Sequence, residues 1–359
     1  MENSINRKKT KRIYVGNVPV GGGAPVAIQS MTKTDTRDII STIAQIRELS
    51  MAGCELIRVA VPDMEAAKAL GRIKAESPIP VIADIHFDYR LALEAIRQGV
   101  DGLRLNPGNI GAKWKIKEIV QASRERRIPI RIGVNAGSLE RDLLEKYGHP
   151  VAEALVESAR RNIELLEELA YTEIKVSLKS SSVMETIAAY RLFSERFDYP
   201  LHVGISEAGP PPHGIVKSAI GIGVLLSEGI GDTIRVSLTA PPVEEVRVAK
   251  AILQTLGIRT FGPEIISCPT CGRCTIDIIA LAKSVSERLS SINENITVAV
   301  MGCPVNGPGE AREADYGVAG GRGKGILFRR GRVVKEVPEE EIVEGLMELI
   351  LSSTVSSEG

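Results

Sequence analysis

Aromatic residues are scarce in this chain of 359 residues: Phe, Trp and Tyr together make up 4%, with a single Trp. A pocket that stacks a flat heterocycle therefore has little to draw on. Net charge is absent too, because 45 Lys and Arg balance 45 Asp and Glu. That balance gives no support to a nucleic-acid or membrane-surface role. The one basic run, from Arg7 to Arg12, reads as a solvated N-terminal arm. No stretch approaches the roughly 20 apolar residues of a membrane helix, and none at the N-terminus has the form of a signal peptide. A cytosolic protein is the expectation. No Gly-x-Gly-x-x-Gly opens a helix after a strand, so the dinucleotide fingerprint is missing. Cysteine is sparse until the last quarter; Cys54 stands alone in an apolar context and reads as a buried small hydrophobe.

What is present is a regular alternation. β-rich runs at 26–30, 56–61, 81–86, 102–106, 130–135, 174–179, 201–207 and 233–238 are separated by helical patterns. Apolar residues such as Ile39, Ile43 and Ile46 recur three or four apart in the stretches between. Eight strand–helix units predict a closed (β/α)8 barrel over 1–258, with an open doubly wound sheet as the competitor. The composition then changes. Residues 259–359 predict a small α+β domain: a cysteine-rich loop, a helix at 276–289, a strand at 296–301 and a glycine-rich stretch at 303–325. Two β-like runs (325–328 and 333–337) and a final helix at 339–351 follow, with a disordered tail expected from Ser352.

Barrel enzymes work at the C-terminal ends of their strands, and here those ends are basic. Arg58 lies in the second strand. Arg104 and Asn106 share a face of the fourth, and Arg131 and Asn135 a face of the fifth. Lys175, Ser177 and Lys179 share a face of the sixth, and Arg235 and Ser237 a face of the eighth. A single such arginine could be an ion pair with a neighbouring helix. Cations on five strands, with only Asp84 and Glu207 as nearby acids, point instead to a site for one or two phosphates. Glu207 is a candidate general acid or base. His86 and His202, on or beside strand ends, are candidates for acid–base or phosphate-binding roles; His149 and His213, in loops beside proline, read as structural.

Cys268-x2-Cys271 with Cys303 is a strong metal signal, because three thiolates in two loops can meet at one centre. Zinc and iron–sulfur both satisfy the spacing. A redox dithiol would not need Cys274 and Cys303. The loop from Cys303 to Glu310, rich in glycine, favours a bulky cluster whose sulfurs take backbone N–H groups.

These motifs resemble the bacterial (E)-4-hydroxy-3-methylbut-2-enyl diphosphate synthases. The likeness covers nearly the whole chain. It is most specific at Cys268-Pro269-Thr270-Cys271-Gly272-Arg273, at Gly302-Cys303-Pro304-Val305-Asn306 running on to Glu310, and at Leu103-Arg104-Leu105-Asn106-Pro107-Gly108-Asn109. Gln29-Ser30-Met31 and Ser206-Glu207-Ala208-Gly209 also fit. The resemblance implies a [4Fe–4S] cluster held by Cys268, Cys271, Cys303 and Glu310. Cys274 departs from the pattern and could compete with Glu310 for the fourth iron. Diphosphate contacts are implied for Arg58, Arg104, Arg131, Asn135, Lys179, Arg235, Ser237 and Asn306, with Glu207 near the reacting carbons. The implied reaction reductively opens and dehydrates 2-C-methyl-D-erythritol 2,4-cyclodiphosphate in isoprenoid biosynthesis, with flavodoxin or ferredoxin as electron donor. A homodimer is also implied, the cluster domain of one subunit capping the barrel of the other. Rival readings are a pterin-binding methyl-transfer barrel and a zinc- or cluster-bearing sensor; the basic strand ends have no purpose in the second.

Overall fold

In the computed structural model, which describes residues 5–303 and 311–354, the chain divides into two units, Met1–Arg259 and Thr260–Gly359. No helix among the described residues is long and apolar enough to cross a membrane.

The first unit opens with a hairpin, β1 (Ile13–Val15) and β2 (Val18–Val20), which the sequence reading did not foresee. Eight parallel strands follow: β3 (Ala27–Met31), β4 (Leu56–Ala60), β5 (Val81–Asp84), β6 (Gly102–Leu105), β7 (Ile130–Asn135), β8 (Ile174–Lys179), β9 (His202–Val203) and β10 (Thr233–Ile234). Their order is β8-β7-β6-β5-β4-β3-β10-β9. A parallel bridge between Val176 and Leu201 joins the two ends of that order. This is a TIM-type barrel. Helices alternate with the strands, several opened by a side-chain cap: Asp38, Asp63 and Ser182 each accept a backbone N–H of the first turn. Outward-facing Ile57, Val59, Ile132 and Val176 are buried beneath these helices. The hairpin closes the bottom of the barrel: Ile13, Val15 and Val20 pack on Ala27, Leu56 and Ile82. Cys54 is buried, as expected.

Strands β9 and β10 are shorter than the runs 201–207 and 233–238 suggested. The backbones converge there: a Cβ on Gly204 would fall 2.3 Å from the Arg235 carbonyl oxygen.

The second unit is a five-stranded sheet of β11 (Glu264–Ser267), β12 (Thr297–Met301), β13 (Tyr316–Gly321), β14 (Lys324–Arg329) and β15 (Arg332–Pro338). The first three run parallel and the last three antiparallel. Helices Ile278–Leu289 and Ile342–Thr354 supply Val285, Leu289, Leu346 and Ile350 to a core with Val298, Val300, Val318 and Leu327. The last helix continues to Thr354, so 352–354 are helical where the sequence suggested a disordered tail.

Candidate functional site

Register decides which side chains meet inside the barrel. The ladder pairs Asp84 with Arg104, Arg104 with Arg131, Arg131 with Lys175, and Asn135 with Lys179. These residues therefore share the inward parity, and at the C-terminal end of the strands Asp84, Arg104, Arg131, Asn135 and Lys179 line a cavity of about 650 Å3. Arg58, Arg104, Arg131, Asn135, Lys179, Glu207, Arg235 and Ser237 all line it. Ser177, Ser180, Ser181, Ser206, Asn109 and His86 add hydroxyl, amide and imidazole groups. Phe87 is the one aromatic carbocycle among the lining residues. Asn306 and Glu310 lie outside the described residues.

Space for the cations comes from glycine. A Cβ on Gly133 would stand 2.5 Å from Arg104 Nε, and one on Gly204 would stand 2.8 Å from Lys179 Nζ. Asp84 is the shared counterion. It accepts from Arg104 Nη1 at 3.1 Å and lies 3.5 Å from Arg58 Nε. Burial opposes its ionisation, but Arg58, a hydrogen bond with His86, and Arg104 hold its carboxyl well below the usual range. Arg58 also directs Nη2 at Met31 Sδ, 2.9 Å away. Its pKa is pushed down to about 10 by burial, with Asp84 opposing and Arg235 and Arg104 adding to the fall. Pairing with a neighbouring helix occurs only loosely, at Arg235, whose Nη2 lies 3.7 Å from Glu245.

Donors remain over. Arg131 is 4% exposed, yet its Nε and Nη1 have no hydrogen-bond partner among the described residues; Nε of Arg104 and of Arg235 are in the same position. Burial, then Arg131 and Arg235, depress the Lys179 ammonium well below its ordinary value. A buried guanidinium with unused donors is costly unless an anion completes it. The donor set suits phosphate oxygens.

Glu207 sits exposed at the rim of this cavity with φ of +52°, a left-handed backbone that L residues rarely adopt. No arginine or lysine among the described residues pairs with it. His86 is at the rim as well, with Nε2 3.3 Å from Arg104 Nη1. His202 is corrected: it is fully buried below the cavity, with Nδ1 2.9 Å from Thr233 Oγ1, because its strand parity turns it into the closed part of the barrel. His149 and His213 are both exposed, and His213 opens a helix rather than lying in a loop.

In the second unit, adjacent parallel strands β11 and β12 end side by side, with Ser267 opposite Val300. Cys268 follows the end of β11 directly, and Cys303 lies two residues past the end of β12. A 140 Å3 cavity is lined by Cys268, Cys271 and Cys303 together with Pro269, Thr270, Arg273, Met301 and Gly302. The Gly302 N–H donates to Cys268 Sγ at 3.2 Å. Cys274 is close by but does not line this cavity; its thiol donates to the Ile276 carbonyl at 3.2 Å. Among the described residues no three His, Cys, Asp or Glu side chains stand close enough to hold one metal ion.

Comparison with known proteins fits both units. A family model described as the GcpE TIM-barrel domain matches residues 10–250, and one described as the GcpE protein C-terminal domain matches residues 264–352. The chain belongs to the GcpE family. A relative from Thermodesulfovibrio yellowstonii, 4-hydroxy-3-methylbut-2-en-1-yl diphosphate synthase (flavodoxin), is 64% identical over 96% of this chain and 99% of its own. A relative of the same name from Geobacter sulfurreducens is 62% identical over 95% and 97%. Among solved structures, a Yersinia pestis dihydropteroate synthase superposes with a TM-score of 0.50 at 11% identity, covering 68% of this chain and 98% of that one. That likeness shows the barrel fold alone.

Proposed function

We propose that this GcpE-family chain converts 2-C-methyl-D-erythritol 2,4-cyclodiphosphate to (E)-4-hydroxy-3-methylbut-2-enyl diphosphate, a step of isoprenoid biosynthesis. The observation that carries the reading is the cavity lined by cations from four strands and from Arg235 just after β10, with buried guanidinium donors left over for an anion. Arg58, Arg104, Arg131, Lys179 and Arg235 bind the two phosphates, and Asn135, Ser237 and Asn306 complete the polar contacts. Two electrons and two protons are consumed: the C2–O bond to phosphate and the C3–O bond break, C2 and C3 become doubly bonded, and the C3 oxygen leaves as water.

The three thiols facing one cavity, with a backbone N–H on Cys268 Sγ, are a soft donor set suited to a cluster. Cys268, Cys271, Cys303 and Glu310 would hold a [4Fe–4S] cluster. When bound, that group supplies the electrons one at a time, and flavodoxin, named in the relatives, is the donor to it. Clamping by the arginines fixes the ring so that its C2 and C3 oxygens face one direction. Glu207, held at the rim by its left-handed backbone, delivers a proton or a fixed charge to the departing C3 oxygen. The reading brings with it the barrel as the diphosphate-binding domain, the second unit as the cluster domain, a homodimer and a cytosolic setting.

An anaerobic assay with reduced flavodoxin tests this. Formation of the linear allylic diphosphate is the expected result; an intact cyclic compound after prolonged incubation would contradict it.

A further inference from the structure

Below the cavity the barrel interior holds a second polar group that the reaction leaves unused. Lys175 on β8 pairs in register with Arg131 on β7 and shares its inward parity. It is 2% exposed, does not line the cavity, and its Nζ has no hydrogen-bond partner among the described residues. The groups around it are few. Arg131 faces it from β7, Arg58 from β4 and His202 from β9, with Lys179 further along its own strand. His202 Nε2 also has no partner among the described residues. Among the described residues, the carboxylate within its field is Asp232, just before β10. Asp232 is already committed: Arg7 Nη2 lies at 3.2 Å, Thr10 Oγ1 at 3.1 Å, and the Leu201 N–H at 2.9 Å.

Two buried cations side by side, with no anion between them, are strongly unfavourable. An arginine does not release its proton, whereas a buried lysine does so readily. Adjacent inward positions on β7 and β8 therefore divide the roles: Arg131 keeps its charge toward the cavity, and Lys175 gives up its own.

We propose that Lys175 is a neutral amine in the ligand-free protein and takes up a proton when the cyclic diphosphate binds above it. It is a positioning residue, acting through Arg131 and the field of the cavity rather than by touching substrate. This rests on the reading that the cavity takes a diphosphate. Burial, then the charge of Arg131, push the Lys175 pKa down to about 7, with Asp232 opposing and Arg58 adding to the fall. A bound dianion reverses the local field and raises it again. Each phosphorus of the cyclic compound carries one strongly acidic oxygen, ionised throughout the neutral range, so the ligand contributes no titration of its own. The sign follows: affinity is at its full value below about pH 7 and falls as pH rises, by up to roughly tenfold per pH unit, until the bound-state pKa is passed.

Titration calorimetry of the anaerobic holoenzyme without reductant tests this, using the cyclic diphosphate at pH 8 in buffers of differing ionisation heat. Wild type should take up protons on binding, seen as an enthalpy that varies with the buffer. Lys175→Met should take up about one proton fewer per site than wild type, the remainder belonging to Lys179, at an unchanged or higher thermal midpoint. Lys175→Arg, permanently cationic, should lose the same proton. A buffer-independent enthalpy in wild type, or an uptake in Lys175→Met equal to that of wild type, would overturn the assignment. Absence of any binding in wild type would overturn the diphosphate reading itself, and this inference with it.

Discussion

Asp84 accepts a hydrogen bond from Arg104 Nη1 at 3.1 Å, and both side chains are more than nine-tenths sealed from solvent. The same carboxylate lies 3.5 Å from Arg58, so one negative charge holds two arginines at the cavity floor. Removing it leaves buried cations facing one another. Asp84→Asn should lower unfolding free energy by about 3–5 kcal/mol in urea melts near neutral pH. Because the Asp84 pKa is depressed on folding, its contribution is complete above the unfolded value near about 4 and is lost as pH falls below it. The gap between wild type and variant should therefore narrow on acidification; a gap that is constant down to pH 2 would contradict the assignment.

Arg131 contributes affinity at the expense of stability. Its Nε and Nη1 have no partner among the described residues, so Arg131→Met should leave the thermal midpoint equal or raise it. Losing charge-assisted bonds to phosphate, at about 1.5–3 kcal/mol, should raise KM for the cyclic diphosphate by roughly 10- to 100-fold. Unchanged KM in this variant would remove Arg131 from the site.

Cys274 and Glu310 make opposite forecasts. Cys274 lies beside the thiol-lined cavity but donates to the Ile276 carbonyl, so Cys274→Ala should retain iron and its spectrum. Glu310→Ala should weaken or reshape the cluster, read by iron content and electron paramagnetic resonance. The reverse pattern would make Cys274 the fourth ligand.

The hairpin that closes the barrel bottom should matter for folding and not for chemistry. Ile13→Ala opens a cavity against Ala27, Leu56 and Ile82 and should cost about 2–5 kcal/mol, with KM unaltered in the folded fraction.

Much of this was legible before any coordinates. The runs 130–135 and 174–179 are strands at those bounds, because outward Ile, Val and Leu alternate there with inward residues that are polar except for Gly133. The same period of two grouped the arginines and lysines that now line one cavity. The hairpin escaped notice because its strands are three residues each and border a basic arm and a glycine turn. Strand β13, with the sequence YGVAGG, reads as a loop by composition; its glycines instead admit close packing, since a Cβ on Gly317 would meet the Phe328 ring at 2.3 Å. Depth within the barrel was not legible either. Lys175 and Lys179 share a face, yet Lys179 lines the cavity and Lys175, in register with the cavity-lining Arg131, does not. The service of Asp84 to two arginines on different strands depends on that register as well.

Metal content is the most direct test. The protein should be purified without oxygen, its iron, sulfide and zinc quantified, and the same sample given the cyclic diphosphate with a strong one-electron reductant. About four irons and four sulfides per chain, together with turnover, is the expected result. Stoichiometric zinc with no iron would contradict it, leaving the second unit a structural domain and the reductive mechanism without a source of electrons.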